Sequence, residues 1–143
     1  MIRALVACLI VLALAPVAHA ERRAYAIVIG NNAPPSSGTP ETLRPLRYAD
    51  DDAVRYFQLF SRFAQTRLLV VLDATTQKRY PEVAGQAMLP TLDNLRRVVG
   101  DLAVEMQHDR ERGDQRVLYF AFSGHGARDA HGEAGRALLD APL

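Results

Sequence analysis

The segment Arg116–Glu133, RVLYFAFSGHGARDAHGE, decides the fold because an unbroken apolar run ends abruptly in Ser-Gly-His-Gly. The run Arg116–Phe122 has the length and the aliphatic and aromatic content of a buried strand. His125 follows the strand between two glycines, where a side chain is exposed and the backbone can approach a ligand. The segment therefore suggests a functional histidine at the end of a strand.

Two earlier apolar runs predict two more buried strands. They are Ala24–Gly30 (AYAIVIG) and Arg67–Ala74 (RLLVVLDA), and both are short and apolar at successive positions. The loop Asn31–Arg44 after the first run is rich in turn-forming residues and is longer than a simple connection requires.

Helical spacing of apolar residues predicts two helices between these strands. The first begins at about Arg47, with Asp50, Asp51 and Asp52 near its start, where acids favour the helix dipole. Because three consecutive acids point in different directions, at most one or two can face one site. Thr91 can cap the second helix, whose predicted apolar stripe is Leu92, Leu95, Val99, Leu102 and Met106.

This alternation of strands and helices predicts an α/β fold with a mostly parallel sheet. If the two helices cover opposite faces, the strand order is second, first, third. Ligand sites in such sheets lie at the carboxyl ends of the strands, beside the reversal of winding. We therefore expect His125, the loop Asn31–Arg44 and the start of the first helix to border one crevice.

The third strand would be an edge of this sheet, yet Val117–Phe122 carries none of the charges or prolines that protect edges. The residues up to Leu143 leave room for a short strand or hairpin at Arg136–Ala141 but not for another crossover unit. We therefore expect residues 21–143 to form a domain that is incomplete at its carboxyl end.

The first residues, MIRALVACLIVLALAPVAHA, predict a signal peptide at 1–20. Arg3 precedes an apolar core at Ala4–Ala15, and Ala18-His19-Ala20 fits an A-x-A cleavage site. The core is too short to span a membrane as a helix. A secreted or periplasmic protein is therefore expected, with lipid anchoring through Cys8 and an uncleaved membrane anchor as alternatives.

Composition adds little about partners. With 143 residues and 49% hydrophobic content, the chain is of the size and type of one globular domain. Removal of the leader would take away Arg3 and reduce the 17 basic residues to 16, the number of acidic residues. Binding to nucleic acid or to a membrane surface is therefore not expected. The same cleavage would remove Cys8, the only cysteine, and leave no thiol or disulfide.

Other site chemistries fit the residues less well. His125, Asp129 and His131 could ligate a metal ion, and His131-Gly132-Glu133 matches the start of a zinc-deaminase signature. The cysteine pair that this signature needs is missing, and a solvated loop explains Asp129 and His131 better. No glycine-rich nucleotide motif follows Gly30. We therefore expect no metal site and no cofactor.

Three motifs together resemble the amino-terminal half of a caspase-like cysteine peptidase, of the bacterial caspase-like or metacaspase type. They are YAIVIGNN at 25–32, LRYADDDA at 46–53 and VLYFAFSGHG at 117–126. The resemblance covers roughly residues 24–143. It implies a three-layer, Rossmann-like caspase fold and a peptide or protein substrate.

The resemblance also implies roles for three residues. His125 matches the histidine of the family's Cys-His dyad, the general base and acid for thiolate attack on a peptide carbonyl. Gly126 matches the glycine whose N–H helps to form the oxyanion hole. Asp52 falls on the metacaspase acid that lines the specificity pocket and selects Arg or Lys, which a carboxylate can bind. Calcium activates some members of the metacaspase family, but no residue of this sequence indicates that property here.

The sequence departs from the family at other positions. Leu46 stands where aspartate-specific caspases have an arginine, and Tyr48 and Ala49 replace the Gly-Cys of metacaspases. The family's nucleophile follows a fourth strand in an Asp-x-Cys motif, and the sequence ends before one.

We therefore expect the amino-terminal part of a cysteine endopeptidase that prefers Arg or Lys, with its nucleophile-bearing half outside this sequence. One alternative is an inactive pseudo-peptidase or peptide-binding module. The other is a metal-dependent hydrolase that uses His125, Asp129 and His131.

Overall fold

The computed structural model of the chain describes residues 20–34, 44–128 and 134–136. The elements in chain order are β1 Arg22–Asn31, α1 Ala49–Phe60, β2 Gln65–Val70, α2 Ala74–Arg79, α3 Pro81–Ala84, α4 Leu92–Glu111, β3 Gln115–Gly124, β4 Gly126–Arg128 and β5 Ala134–Arg136. The predicted leader, except for Ala20, and residues 35–43 of the long loop lie outside the described residues.

The three longer strands form a parallel sheet in the order β2-β1-β3. Gly30 of β1 lies opposite both Val70 of β2 and Ser123 of β3, and Asn31 lies opposite Gly124. The predicted α/β fold, its parallel sheet and its strand order are confirmed. The register also places the end of β1 level with the residue before His125.

Helices cover both faces of β1, so the molecule has three layers. Val28 of β1 packs in a core cluster with Val54 and Phe57 of α1. On the opposite face, Ile27 and Ile29 pack with Val98 and Leu102 of α4. Because both faces of β1 are buried, its sequence is apolar at successive positions rather than alternating.

Gly30 lets α1 lie directly on the end of β1. A Cβ at this position would be 2.6 Å from the Cβ of Ala53 and 2.7 Å from the carbonyl oxygen of Ala49, closer than atoms can approach without a shift. The absence of a side chain at Gly30 therefore allows the first turn of α1 to lie beside the carboxyl end of the sheet.

The second long helix begins where the sequence predicts it. The Thr91 side chain accepts a hydrogen bond from the backbone N–H of Asn94, with an oxygen–nitrogen distance of 3.2 Å. The predicted stripe is wrong at one position, because Val98 is buried and Val99 is 49% exposed. Val98 and Val99 both lie three or four residues from Leu95 and Leu102, and packing against β1 buries Val98.

Strand β2 ends at Val70, earlier than the predicted end at Ala74. The Asp73 carboxylate accepts a hydrogen bond from the backbone N–H of Thr76 at 2.7 Å and so caps α2. This cap begins α2 at Ala74, the residue predicted to end the strand, and the short helices α2 and α3 were not predicted. Met88 forms a parallel β-bridge with Leu69 of β2. The Met88 carbonyl accepts a hydrogen bond from the Val70 N–H, and the Met88 N–H donates to the Leu68 carbonyl.

Strand β3 pairs with β1 along one side, and no other described strand pairs with it. On the α1 face, the Tyr119 ring stacks on Phe60 with centroids 5.3 Å apart. On the opposite face, Leu118 is 47% exposed.

The antiparallel hairpin β4-β5 follows β3. Of the short strand or hairpin predicted at Arg136–Ala141, only Arg136 is described. In the described part of the chain, no helix combines the length and apolarity needed to cross a bilayer.

Candidate active site

His125 connects β3 to β4 at the carboxyl edge of the sheet. Its Nε2 atom is buried and has no hydrogen-bond partner among the described residues. Buried polar atoms nearly always have a partner, because an unpaired one loses its hydration without compensation. The side chain therefore presents a nitrogen atom that the described part of the fold leaves available.

The two glycines beside His125 differ in their surroundings. A Cβ at Gly124 would be 2.7 Å from the Phe122 ring and 3.3 Å from the Asn31 carbonyl oxygen, so Gly124 permits close packing of the strand ends. A Cβ at Gly126 would meet nothing within 4 Å, and Gly126 is exposed. The backbone at Gly126 is therefore open to an approaching ligand.

Asp50 holds the elements around this edge together. Its side chain is fully buried and accepts hydrogen bonds from the Asn32 amide at 2.8 Å and the Asp73 backbone N–H at 3.0 Å. The Asn32 side chain also accepts a bond from the Ala49 N–H at 2.8 Å. Asp50 and Asn32 thus connect the end of β1, the start of α1 and the loop after β2.

The electrostatics of Asp50 keep it ionised. Burial acts to raise its pKa, but hydrogen bonds from the Asp73 N–H, the Asn32 amide and Thr76 outweigh burial and lower the pKa below its usual value. The sequence analysis assigned the three acids to the helix dipole and Asp52 to substrate binding, so this role of Asp50 was not predicted. Nothing in three identical neighbours indicates which one will be buried.

Asp51 points toward α2. It is 9% exposed and accepts a hydrogen bond from Arg79 at 3.3 Å. Both residues line a cleft of about 560 Å³, together with Asn32, Leu46 and Tyr48. Two positions that depart from the family pattern, Leu46 and Tyr48, therefore lie at this cleft.

Asp52, the acid singled out from the sequence, is not among the residues that line this cleft. Its side chain is 46% exposed, and its carboxylate lies 3.5 Å from the Arg55 guanidinium. Tyr56, one helical turn later, shares its side of α1. Since Tyr56 stacks on Phe60 and Phe60 stacks on Tyr119 of β3, this is the side of α1 nearest β3. The three acids therefore take three directions, as predicted.

The predicted loop residues Asp129 and His131, with Glu133, lie outside the described residues. Within the described ranges, no group of three His, Cys, Asp or Glu side chains is close enough to hold a metal ion.

A second cleft, of about 580 Å³, lies at the amino edge of the sheet. It is lined in part by Arg23, Tyr25, His108, Asp109 and Arg112. The Tyr25 hydroxyl and the Arg112 guanidinium both donate hydrogen bonds to the Asp109 carboxylate. Burial, followed by the bond to Asp109, raises the pKa of Tyr25 to about 12. Because sites in parallel sheets lie at the opposite edge, and the central groups here are paired, we regard the carboxyl edge as the candidate site.

Comparison with known proteins identifies a family for the chain. A protein-family model described as Peptidase_C14, the caspase domain, matches residues 23–139. No curated protein and no solved structure matches the chain. The matched range contains both edges of the sheet, including His125 and the three acids of α1.

Proposed function

The chain belongs to the caspase-domain family of peptidases, and we propose that it is the histidine-bearing part of a cysteine endopeptidase. The observation that carries the proposal is the buried Nε2 of His125 without a partner in the described residues. It lies at the carboxyl end of a parallel strand, where α/β proteins bind ligands. Membership of a peptidase family implies peptide or protein substrates.

In the proposed reaction, His125 Nε2 takes the proton from a cysteine thiol as the thiolate attacks the carbonyl carbon of the substrate. The resulting imidazolium gives this proton to the departing amine. The Gly126 N–H donates a hydrogen bond to the oxyanion, and the open space beside Gly126 supports this role. Because residues 21–143 contain no cysteine, the thiol comes from a segment outside this sequence.

Asp52 is the proposed binding group for an Arg or Lys side chain of the substrate. Its described partner is Arg55, one turn away on the same exposed helix surface, and such pairs contribute little. A guanidinium from a substrate can therefore replace Arg55 and bind the carboxylate in bidentate fashion. Asp51 is less suited, because it is almost buried and already binds Arg79.

The proposal is tested with the gene product read past Leu143. We expect an apolar strand followed by Asp-x-Cys, and turnover of fluorogenic peptides that have Arg or Lys, but not Asp, before the cleaved bond. Asp52→Asn should raise KM for the Arg peptide more than Asp51→Asn does. An equal effect of the two variants, or cleavage after Asp, would contradict the specificity proposal.

A peptide-binding module without catalysis is the second candidate, because the expected mature sequence has no thiol. A stop codon directly after Leu143, with binding of an Arg peptide that is not cleaved, would favour it. Under either candidate, the purified 143-residue protein alone should not hydrolyse Arg or Lys peptides. Steady turnover by this protein would contradict both.

A further inference from the structure

The predicted leader cleavage site lies at the amino edge of the sheet, where the structure describes both residues that flank it. Ala20 and Glu21 are exposed. The Glu21 backbone N–H donates to Asp114 Oδ1 at 3.0 Å, and the Glu21 carbonyl accepts from the Gln115 N–H at 2.8 Å. The next residue, Arg22, is already paired with β3. The Glu21 nitrogen is therefore held in place by contacts on the carboxyl side of the cleavage site.

Asp114 provides an anionic environment for this nitrogen. It is 9% exposed, and its Oδ2 lies 3.6 Å from Arg23 Nε and 3.5 Å from Arg112 Nε. The Glu21 N–H, followed by these two arginines, lowers the pKa of Asp114, so the carboxylate is ionised at neutral pH. The arginines contact one oxygen, whereas the other oxygen faces the Glu21 nitrogen.

We propose that Asp114 is the binding site for the mature amino terminus, so that leader removal creates an ion pair between the Glu21 ammonium and Asp114. The inference rests on cleavage after Ala20 and is independent of the peptidase proposal. Hydrolysis by a signal peptidase transfers the hydroxyl of water to the Ala20 carbonyl carbon and its proton to the Glu21 nitrogen. A second proton from solvent gives the ammonium group, at the position that the N–H occupied.

Neighbouring charges accommodate the new cation. The Glu21 side chain lies 2.7 Å from the Arg23 guanidinium, and Asp109 binds Arg112. Before cleavage, the carboxylates of Glu21, Asp109 and Asp114 face the guanidinium groups of Arg23 and Arg112. The ammonium of the cleaved chain adds the third positive charge. Arg22, Tyr25, Glu105 and His108 line the adjoining cleft.

The ion pair gives the processed chain a defined pH window. An amino terminus without a partner has a pKa of about 7.7–8.0, and pairing with a carboxylate raises it. The stabilisation is therefore complete below the unfolded value and is lost as pH rises through the raised folded value. On the acid side it is lost as pH falls through the lowered pKa of Asp114, below the ordinary 3.8.

The test begins with amino-terminal sequencing of the secreted full chain, which should start at Glu21. Three forms of the processed protein are then compared: one that starts at Glu21, one acetylated at Glu21, and one that starts at Ala20. Acetylation removes the charge, and the extra alanine displaces it by one residue, while every native side chain is retained. NMR of ¹³C-labelled Glu21 follows titration of its α-amine, and thermal unfolding is measured from pH 5 to 10.

We expect the form that starts at Glu21 to have a raised α-amine pKa and the highest melting temperature at pH 6–7, with its advantage lost at alkaline pH. Asp114→Asn should remove this advantage, whereas Asp93→Asn, at an exposed acid on α4, should retain it. A secreted chain that starts elsewhere would overturn the proposal. So would an α-amine with an ordinary pKa, or equal melting temperatures for the acetylated and free forms.

Discussion

The carboxyl and amino edges of the sheet both bury carboxylates, but they differ in what they leave unpaired. At the amino edge, Asp109 and Asp114 bind Tyr25, Arg112 and Arg23. At the carboxyl edge, Asp50 is also well hydrogen-bonded, yet His125 Nε2 is buried without a partner among the described residues.

This difference distinguishes the paired carboxylates, which stabilise the fold, from a histidine nitrogen that is available to react. Asp50 connects the segments of the carboxyl edge through hydrogen bonds, whereas His125 lies at the same edge with an Nε2 atom that no described residue pairs. The amino edge has a cleft of similar size, but its buried acids are used to connect β1 to α4. The two clefts therefore do not distinguish the edges by size, and the candidate site rests on the unpaired Nε2 atom of His125 in the described residues.

The largest effect on stability is expected for Asp50→Ala at the carboxyl edge. This change leaves the Asn32 amide and the Asp73 N–H without their acceptor, and each buried unpaired group costs about 1–3 kcal/mol. We expect a loss of about 3 kcal/mol in the free energy of unfolding, measured by urea denaturation. Asp93→Ala, at an exposed acid, is the control and should change it by less than about 0.5 kcal/mol.

Acid denaturation tests the same residue. Because the folded pKa of Asp50 is lowered, its stabilisation is present above the ordinary value of 3.8 and is lost as pH falls through the folded value. Asp50→Asn should therefore flatten the decline of stability below that pH. An unchanged acid profile would show that Asp50 is not the hydrogen-bonded carboxylate described.

A smaller effect is expected for Gly30→Ala. The new methyl group would collide with Ala53 and with the Ala49 carbonyl, and overpacking costs about 1–3 kcal/mol. Gly100 in α4 is the matched control, since a Cβ there meets nothing within 4 Å. Gly100→Ala should stabilise the protein by about 0.5–1 kcal/mol. If both variants raised the melting temperature, the close contact between α1 and β1 would be disproved.

The smallest effect at neutral pH is expected for Tyr25→Phe at the amino edge. The change removes one hydrogen bond to Asp109, which contributes about 1 kcal/mol. In the native protein, Tyr25 with its pKa of about 12 stays protonated when the unfolded chain ionises near 10.0, so stability falls as pH rises between these values. Tyr25→Phe should reduce this fall. An identical alkaline profile in both proteins would contradict the buried Tyr25–Asp109 pair.

The sequence predicted the sheet because its three strands are continuous apolar runs, which are typical of strands buried on both faces. In the described residues β1 fits this expectation, whereas β3 leaves Leu118 47% exposed. The position of His125 followed from the end of such a run. Boundaries were less predictable: β2 ends at Val70 although the apolar run continues to Leu72, and Asp73 caps a helix that begins at Ala74.

Rotation of the helices was also not predictable. Val98 and Val99 are both apolar, and only packing against β1 shows which one is buried. Likewise, Asp50, Asp51 and Asp52 are chemically identical, and only the folded structure shows that Asp50 is buried and Asp52 is exposed. The carboxylate pairs of the amino edge join residues far apart in sequence, such as Tyr25 and Asp109, and no local pattern indicates them.

The central claim is that His125 is kept for catalysis rather than for stability. The most direct test is kcat/KM for an Arg peptide, measured with the gene product read past Leu143 and its His125→Ala variant. His108→Ala is the control, because that histidine is exposed on α4. Its described ion pair is with Glu111, whose Oε2 lies 3.7 Å from His108 Nδ1. Because His125 Nε2 makes no described hydrogen bond, the substitution should change the melting temperature little.

We predict that His125→Ala lowers kcat/KM by about 10²–10⁴-fold, the range typical of a lost general base, whereas His108→Ala leaves it unchanged. A His125→Ala protein that retains its kcat/KM would contradict the account.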